Sequence, residues 1–258
     1  MRIGVLASLF FVISMSSCLK EPEAIIVADV SDIFSLGLNQ ELGENRLFQL
    51  ELNILELQEC EDIKINSNLL SLSSDLILEI NSIEKPETCA GDMQRISKTH
   101  NINISPGDYQ FNIVLADASV NNGIISVAQN EISLQFNELE GIQISDFSIQ
   151  RIPDQTIWGT FFSENTLYDK NKIREVLFEA ENINVNGGLQ FGHYGHFNIN
   201  EDQTVDLAKS VINGHHFYVS NESINWDNIS DKMTEWRNEN PDVEFIIYNE
   251  LGEILSSN

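Results

Sequence analysis

The run ISPGDYQFNI, Ile104 to Ile113, carries the pattern on which the fold of the first half of the chain rests. Ser105-Pro106-Gly107-Asp108 is a turn cluster, because proline presets φ and glycine supplies the conformations that other residues avoid. Tyr109, Phe111, Ile113 and Leu115 then alternate with Gln110 and Asn112. Successive side chains leave a strand on opposite faces, so this period of two marks a half-buried strand. The same alternation recurs outward from this point. Phe48, Leu50, Leu52 and Ile54 alternate with Gln49, Glu51 and Asn53, and Leu76, Leu78, Ile80 and Ile132, Leu134, Phe136 repeat it. Shorter runs at 24–30, 101–104 and 142–149 bring the expectation to roughly seven or eight strands without a long helix. Asn121-Asn122-Gly123 reads as a further turn. An antiparallel β-sandwich over residues 25–150 follows.

Beyond Pro153 the period changes. Ile173, Val176, Leu177 and Ala180 fall at i, i+3, i+4 and i+7, with Asp169 placed to cap, which predicts an amphipathic helix over 170–180. Asn186-Gly187-Gly188 reads as a turn and His216 to Ser220 as a strand. A second helix runs from Trp226 to Arg237, with Ile229, Met233 and Trp236 on one face and Pro241 at its exit. VEFIIYNELGEIL, residues 243–255, reads as a strand, a turn at Leu251-Gly252 and a return strand. Residues 155–258 are therefore expected to form a small α+β domain, with the boundary between Ser148 and Thr156.

Pro106, Gly107, Tyr109, Phe111 and Ile113 resemble the Pro-Gly-x-Tyr-x-apolar-x-apolar run of immunoglobulin-like and fibronectin-like modules in exported bacterial proteins. The resemblance implies an immunoglobulin-like sandwich with Tyr109 buried at its corner. It speaks to architecture alone, since such sandwiches serve adhesion, assembly, carbohydrate binding and spacing alike.

The N-terminus supplies an address. Arg2 is followed by an almost unbroken apolar run from Ile3 to Ile13 and then by Ser14, Met15, Ser16 and Ser17. That is the layout of a secretory signal, and the run is shorter than the ~20 residues a spanning helix needs. Met15-Ser16-Ser17-Cys18 resembles the lipobox of bacterial lipoproteins. The resemblance implies removal of residues 1–17, a diacylglyceryl and N-acyl (palmitate-type) modification of Cys18, and a tether over residues 18–24. More than one acyl chain is what stable membrane attachment requires. The implied location is the cell envelope, on the outer membrane, with periplasmic and surface-facing orientations both open.

Composition narrows the partners. The chain has 40 acidic and 14 basic residues, for a net charge of -26. No Lys/Arg stripe exists to displace phosphate counterions, so nucleic acid is excluded as a partner. Beyond Cys18 the cysteines are Cys60 and Cys89. An even pair in an exported chain, outside any metal-type spacing, reads as a disulfide. Its closure would stabilise the fold by roughly 3–4 kcal/mol on the chain-entropy model.

Few residues suggest chemistry. His193, His196, His215 and His216 are the candidate metal ligands, with Glu201 or Asp202 as a carboxylate partner. Strand geometry would point His193 and His196 to opposite faces, and likewise His215 and His216, leaving one from each pair to meet across neighbouring strands. Asn198, Asn200, Asp202 and Asp206 resemble the spacing of a calcium loop. Gln203, however, stands where the glycine belongs and Lys209 where the bidentate glutamate belongs, which favours a hairpin turn. Tyr194 and Trp158 are the aromatic residues singled out for an exposed binding platform, though most aromatics of the second half belong in a core. Nucleophile elbow, zinc-protease helix, phosphate loop and dinucleotide motifs are absent from the sequence, so no cofactor is expected.

Two readings follow. The first is a lipid-anchored, non-catalytic binding or assembly module whose partner is an envelope protein or a carbohydrate. The second is an envelope hydrolase or metal-dependent enzyme with its site near His193, His196 and His215.

Overall fold

The computed structural model describes residues 34–59, 62–86, 91–116, 119–164, 168–178, 184–207 and 214–257. The signal and tether, Cys18, the run at 24–30, Cys60 and Cys89 lie outside the described residues. The chain is mainly β, with several sheets and two helices among the described residues. No helix among the described residues is long and apolar enough to cross a membrane.

The first ten strands are β1 (Phe34–Gln40), β2 (Phe48–Ile54), β3 (Lys64–Leu72), β4 (Asp75–Glu84), β5 (Ser97–Ile102), β6 (Gly107–Leu115), β7 (Ser119–Val127), β8 (Glu131–Phe136), β9 (Ile142–Ile144) and β10 (Ser148–Gln150). They form a sheet of order β5-β2-β1-β9 and a larger one of order β10-β8-β7-β6-β4-β3. The inward residues of both sheets, among them Leu36, Leu50, Leu78, Phe111, Ile113 and Ile132, join one apolar cluster. Each fully buried aliphatic contributes roughly 1.5–3 kcal/mol relative to exposure, and the period-two pattern is what directs these residues to the shared layer.

The pairing is not purely antiparallel: β1–β9 and β4–β6 run parallel. The reason is the route of the chain, which leaves β4, crosses to the other sheet as β5 and returns as β6. Parallel neighbours require such a crossover. A second difference concerns Asn121-Asn122-Gly123, which is no turn but the middle of β7. The Asn121 side chain is buried and holds both the N–H and the carbonyl of Glu140. A Cβ on Gly123 would sit 2.5 Å from the Gln135 carbonyl oxygen and the Phe136 ring, so glycine here serves close strand approach.

The remaining elements are β11 (Thr156–Phe162), α1 (Lys170–Leu177), β12 (Gly192–His193), β13 (Phe197–Ile199), β14 (Val205–Leu207), β15 (His215–Ser220), α2 (Trp226–Glu239), β16 (Glu244–Asn249) and β17 (Ile254–Ser256). A sheet of order β15-β11-β16-β17 is covered on one face by the helices and on the other by the small sheet β12-β13-β14. Alternation along β11 divides its side chains between these layers: Ile157 and Phe161 go to the helical side, Trp158 to the small sheet. Asp169 caps α1 by accepting from the N–H groups of Asn171 and Lys172, and Asn225 caps α2 through the Asn228 N–H.

The small sheet also meets the first half of the chain. Gln40, at the end of β1, is fully buried and its Oε1 accepts from the Ile152 N–H at 2.8 Å. The Gln40 carbonyl accepts from His196 Nε2 at 2.7 Å and the Leu38 carbonyl from His193 Nε2 at 3.1 Å. A Cβ on Gly195 would approach Asn39 Oδ1 to 2.5 Å, which shows how closely the β12–β13 turn lies against β1.

Candidate functional site

A cleft of about 1030 Å³ opens beside this junction. Its walls come from the end of the two-sheet layer (Arg46–Phe48, Ile102–Ile104, Val127–Asn130), from the connecting segment 151–155, and from Gly188, Leu189 and Ser220–Glu222 of the second half. Concave sites of this size between structural units are the usual location of ligands.

Its floor holds two cations. The Arg151 guanidinium lies over the Phe48 ring, 4.4 Å from the centroid, an arrangement that attracts through the ring quadrupole. Arg151 Nε donates to the Gln129 carbonyl at 2.9 Å and Nη1 to the Arg46 carbonyl at 2.8 Å. Two of its five N–H donors are thus engaged, and the others have no protein acceptor among the described residues. Arg46 donates from Nη1 to the Ile152 carbonyl at 3.2 Å and pairs with Asp154. Burial and the neighbouring Arg46 pull the Arg151 pKa down, and Asp154 opposes them. The two carboxylates of the lining, Asp154 and Glu222, are exposed at the rim, with the Asp154 side chain 79% exposed against 19% for Arg46. Positive charge therefore sits deep and negative charge outside.

Amides complete the lining. Asn103, Gln129, Asn130 and Gln155 are exposed along it, and none of their side chains bonds to another described residue. Each offers both a donor and an acceptor.

The histidines are arranged differently from the expectation. His193 and His196 do not diverge to opposite faces, because His196 lies in the turn after β12, where Gly195 has φ +78°. Both rings reach β1 carbonyls, and His193 Nδ1 lies 2.7 Å from Asn198 Oδ1. His215 is on β15, its pKa lowered chiefly by burial, and its Nε2 is buried without a hydrogen-bond partner among the described residues. No group of three or more His, Cys, Asp or Glu side chains suited to a metal ion gathers among the described residues. The structure thus does not bring His193, His196 and His215 together as a ligand set.

The calcium-like spacing is a hairpin turn between β13 and β14. Asp202 Oδ1 accepts from the Thr204 N–H and hydroxyl, which holds its carboxyl below the usual range, and Asn200 bonds Thr204 and Asp206. Tyr194 and Trp158 are not an exposed platform: both are buried, at 3% and 2% exposure. Trp158 stacks with His196 and with Tyr248, and burial pushes the Tyr194 hydroxyl up to about 12 while it donates to the Gln190 carbonyl. They occupy the layer between two sheets, where a β11 that is covered on both faces must send every second side chain.

One pair went unread in the sequence. Ser67 Oγ and His100 Nε2 lie 2.8 Å apart and tie β3 to β5 across the open edge of the two-sheet layer. Burial lowers the His100 pKa and Lys98 adds to the lowering. A cation beside the imidazole is the reverse of the orienting carboxylate a nucleophile–base pair needs, so this contact is an inter-sheet tie. Arg46 and Arg151 were missed as well. The available signal was their scarcity, 14 basic residues in the chain, together with the position of Arg151 beside Pro153 at the expected boundary.

No family model, curated protein or solved structure matches the chain.

Proposed function

We propose that this protein is a lipid-anchored cell-envelope binding module without catalytic activity, its ligand seated in the cleft between an immunoglobulin-like sandwich (25–150) and an α+β domain (155–258). The observation that carries the reading is the cleft itself, with the Arg46–Arg151 pair at its floor and unbonded amides along its wall. One apolar cluster draws its buried residues from 34–149 and two others draw theirs from 152–247, which supports the division into domains. The Tyr109 hydroxyl donates to the Ser105 carbonyl at 2.8 Å, a bond of the kind immunoglobulin-like corners make, and it supports that assignment.

The anchor rests on the lipobox-like Met15-Ser16-Ser17-Cys18. The disulfide gains support from Gln58 and Gln94, which exchange both backbone hydrogen bonds.

Ligand-observed NMR of the full chain in detergent against a fragment library tests the site. Ala128 is an exposed residue of the lining, and Ala128→Trp adds bulk to the cleft while leaving both arginines in the sequence. Hits that bind the natural chain and vanish in the variant support the reading. Hits that persist, or none at all, overturn it.

A further inference from the structure

Resting on the cleft as the binding site, we infer that its ligand is an acidic saccharide, with the carboxylate or phosphate on Arg151 and hydroxyls on the surrounding amides. Three observations converge on this class.

The first is the state of the guanidiniums. Arg151 and Arg46 repel each other across a partly desolvated floor, and the carboxylate that compensates, Asp154, is itself largely in solvent. Arg151 keeps N–H donors without a protein acceptor among the described residues, and stacking on Phe48 fixes the plane in which they point. A held guanidinium with open donors matches the two oxygens of a carboxylate or phosphate. In a chain of net charge -26, such a floor is a local inversion of sign.

The second is the amide set. Asn103, Gln129, Asn130 and Gln155 present paired donor and acceptor atoms, and a sugar hydroxyl is both donor and acceptor. Anchoring an anion alone would call for neither the number nor the spread of these groups.

The third separates saccharide from acidic peptide. An extended peptide is captured by adding to a free sheet edge. The edge strands β5 and β15 each bring only their last residue, Ile102 and Ser220, to the cleft, so no run of strand edge lines it. The cleft offers side-chain amides in place of a ladder that a peptide could extend.

Isothermal titration of the full chain in detergent decides the matter, with four probes: oligogalacturonate, a phosphorylated oligosaccharide, a neutral galactose oligomer and hexaglutamate. Binding of one or both acidic saccharides in preference to the other two is expected, and which of the two binds assigns the anion. Arg151→Gln should weaken it about tenfold or more, the scale of a lost charge-assisted bond. Asn130→Ala should weaken it several-fold, and as an exposed residue Asn130 can be changed without unfolding the protein. Added salt should weaken it further. Equal or tighter binding of the neutral oligomer or of hexaglutamate, abolished by Ala128→Trp, would overturn the saccharide class and leave the cleft standing. No binding of any probe together with no fragment hit would remove both. Acidic saccharide binding that Arg151→Gln and Asn130→Ala leave unchanged would also overturn the inference.

Discussion

Gly195→Ala tests the junction that shapes the cleft. Gly195 has φ +78°, and an added Cβ would lie 2.5 Å from Asn39 Oδ1 and 3.1 Å from the Gln40 nitrogen. Alanine in the left-handed region costs about 1–2 kcal/mol. Asn39 Oδ1 accepts from the Gln40 N–H at 2.8 Å, so displacing it forfeits a hydrogen bond of about 0.5–1.5 kcal/mol. The narrower unfolded ensemble of alanine returns about 0.4–1 kcal/mol. The expected net loss is about 2 kcal/mol, read from urea unfolding followed by the fluorescence of Trp158, whose ring stacks with His196 next door. In an Asn39→Ala background the clash with Oδ1 disappears, leaving the backbone strain and the tight approach to the Gln40 nitrogen, so the same substitution should cost roughly 1 kcal/mol less. Equal costs in the two backgrounds would show that the β12–β13 turn does not pack against β1, and the junction described above would be wrong.

His100 and His215 both have lowered pKa values, chiefly from burial. As pH falls below the unfolded value of about 6.5, the unfolded chain binds these protons first, so stability is complete above that value and declines as pH approaches the folded values. Denaturation between about pH 7.5 and 5 should show a smaller loss in His100→Gln and His215→Asn than in the natural chain; parallel curves would contradict the assignment. Trp158→Ala should cost about 3–5 kcal/mol, the range for a buried aromatic, and a loss under 1 kcal/mol in urea unfolding would place the ring at the surface after all. Non-reducing peptide mapping should join Cys60 to Cys89, and two free thiols would refute the pairing. Mass spectrometry of membrane-extracted protein should show an acylated Cys18 as the first residue, and a soluble species beginning elsewhere would refute the anchor.

What could be read from the sequence was what local physics dictates. Strands β2, β4, β6 and β8 announce themselves because one face is buried and the other solvated, so apolar and polar residues alternate. Both helices show their spacing, and Asp169 is read as the cap of α1 at its actual position. β7 was misread because Asn-Asn-Gly is favoured in tight turns, whereas here the amide serves a distant backbone and the glycine a close neighbour. Trp158 and Tyr194 could not be placed, since their burial depends on a second layer that alternation along one strand does not reveal. The cleft was illegible for a different reason. Arg46 and Arg151 are far apart in the chain, and Arg151 is held by backbone carbonyls of Gln129 and Arg46, groups every residue carries. No pattern of residue types encodes that meeting.

The same bonds that fix the junction also fix the cleft, and this bears on how binding would act. Arg46 bonds the Ile152 carbonyl, Arg151 bonds the Arg46 carbonyl, and Gln40 accepts from the Ile152 N–H, so segment 151–152 is tied to the end of β1 and the loop after it, and the Gln40 carbonyl ties that end in turn to His196. Any ligand oxygen on Arg151 adds to a ring of contacts that spans the two halves of the chain. A ligand that binds the folded form alone stabilises it by RT ln(1 + [L]/Kd), and here that stabilisation falls on the junction itself. The β12–β13 turn and the segment at 151–152 should accordingly be the places where backbone amides exchange more slowly once a ligand is seated. Protection confined to the outer face of the two-sheet layer would instead place recognition on that face and away from the arginines.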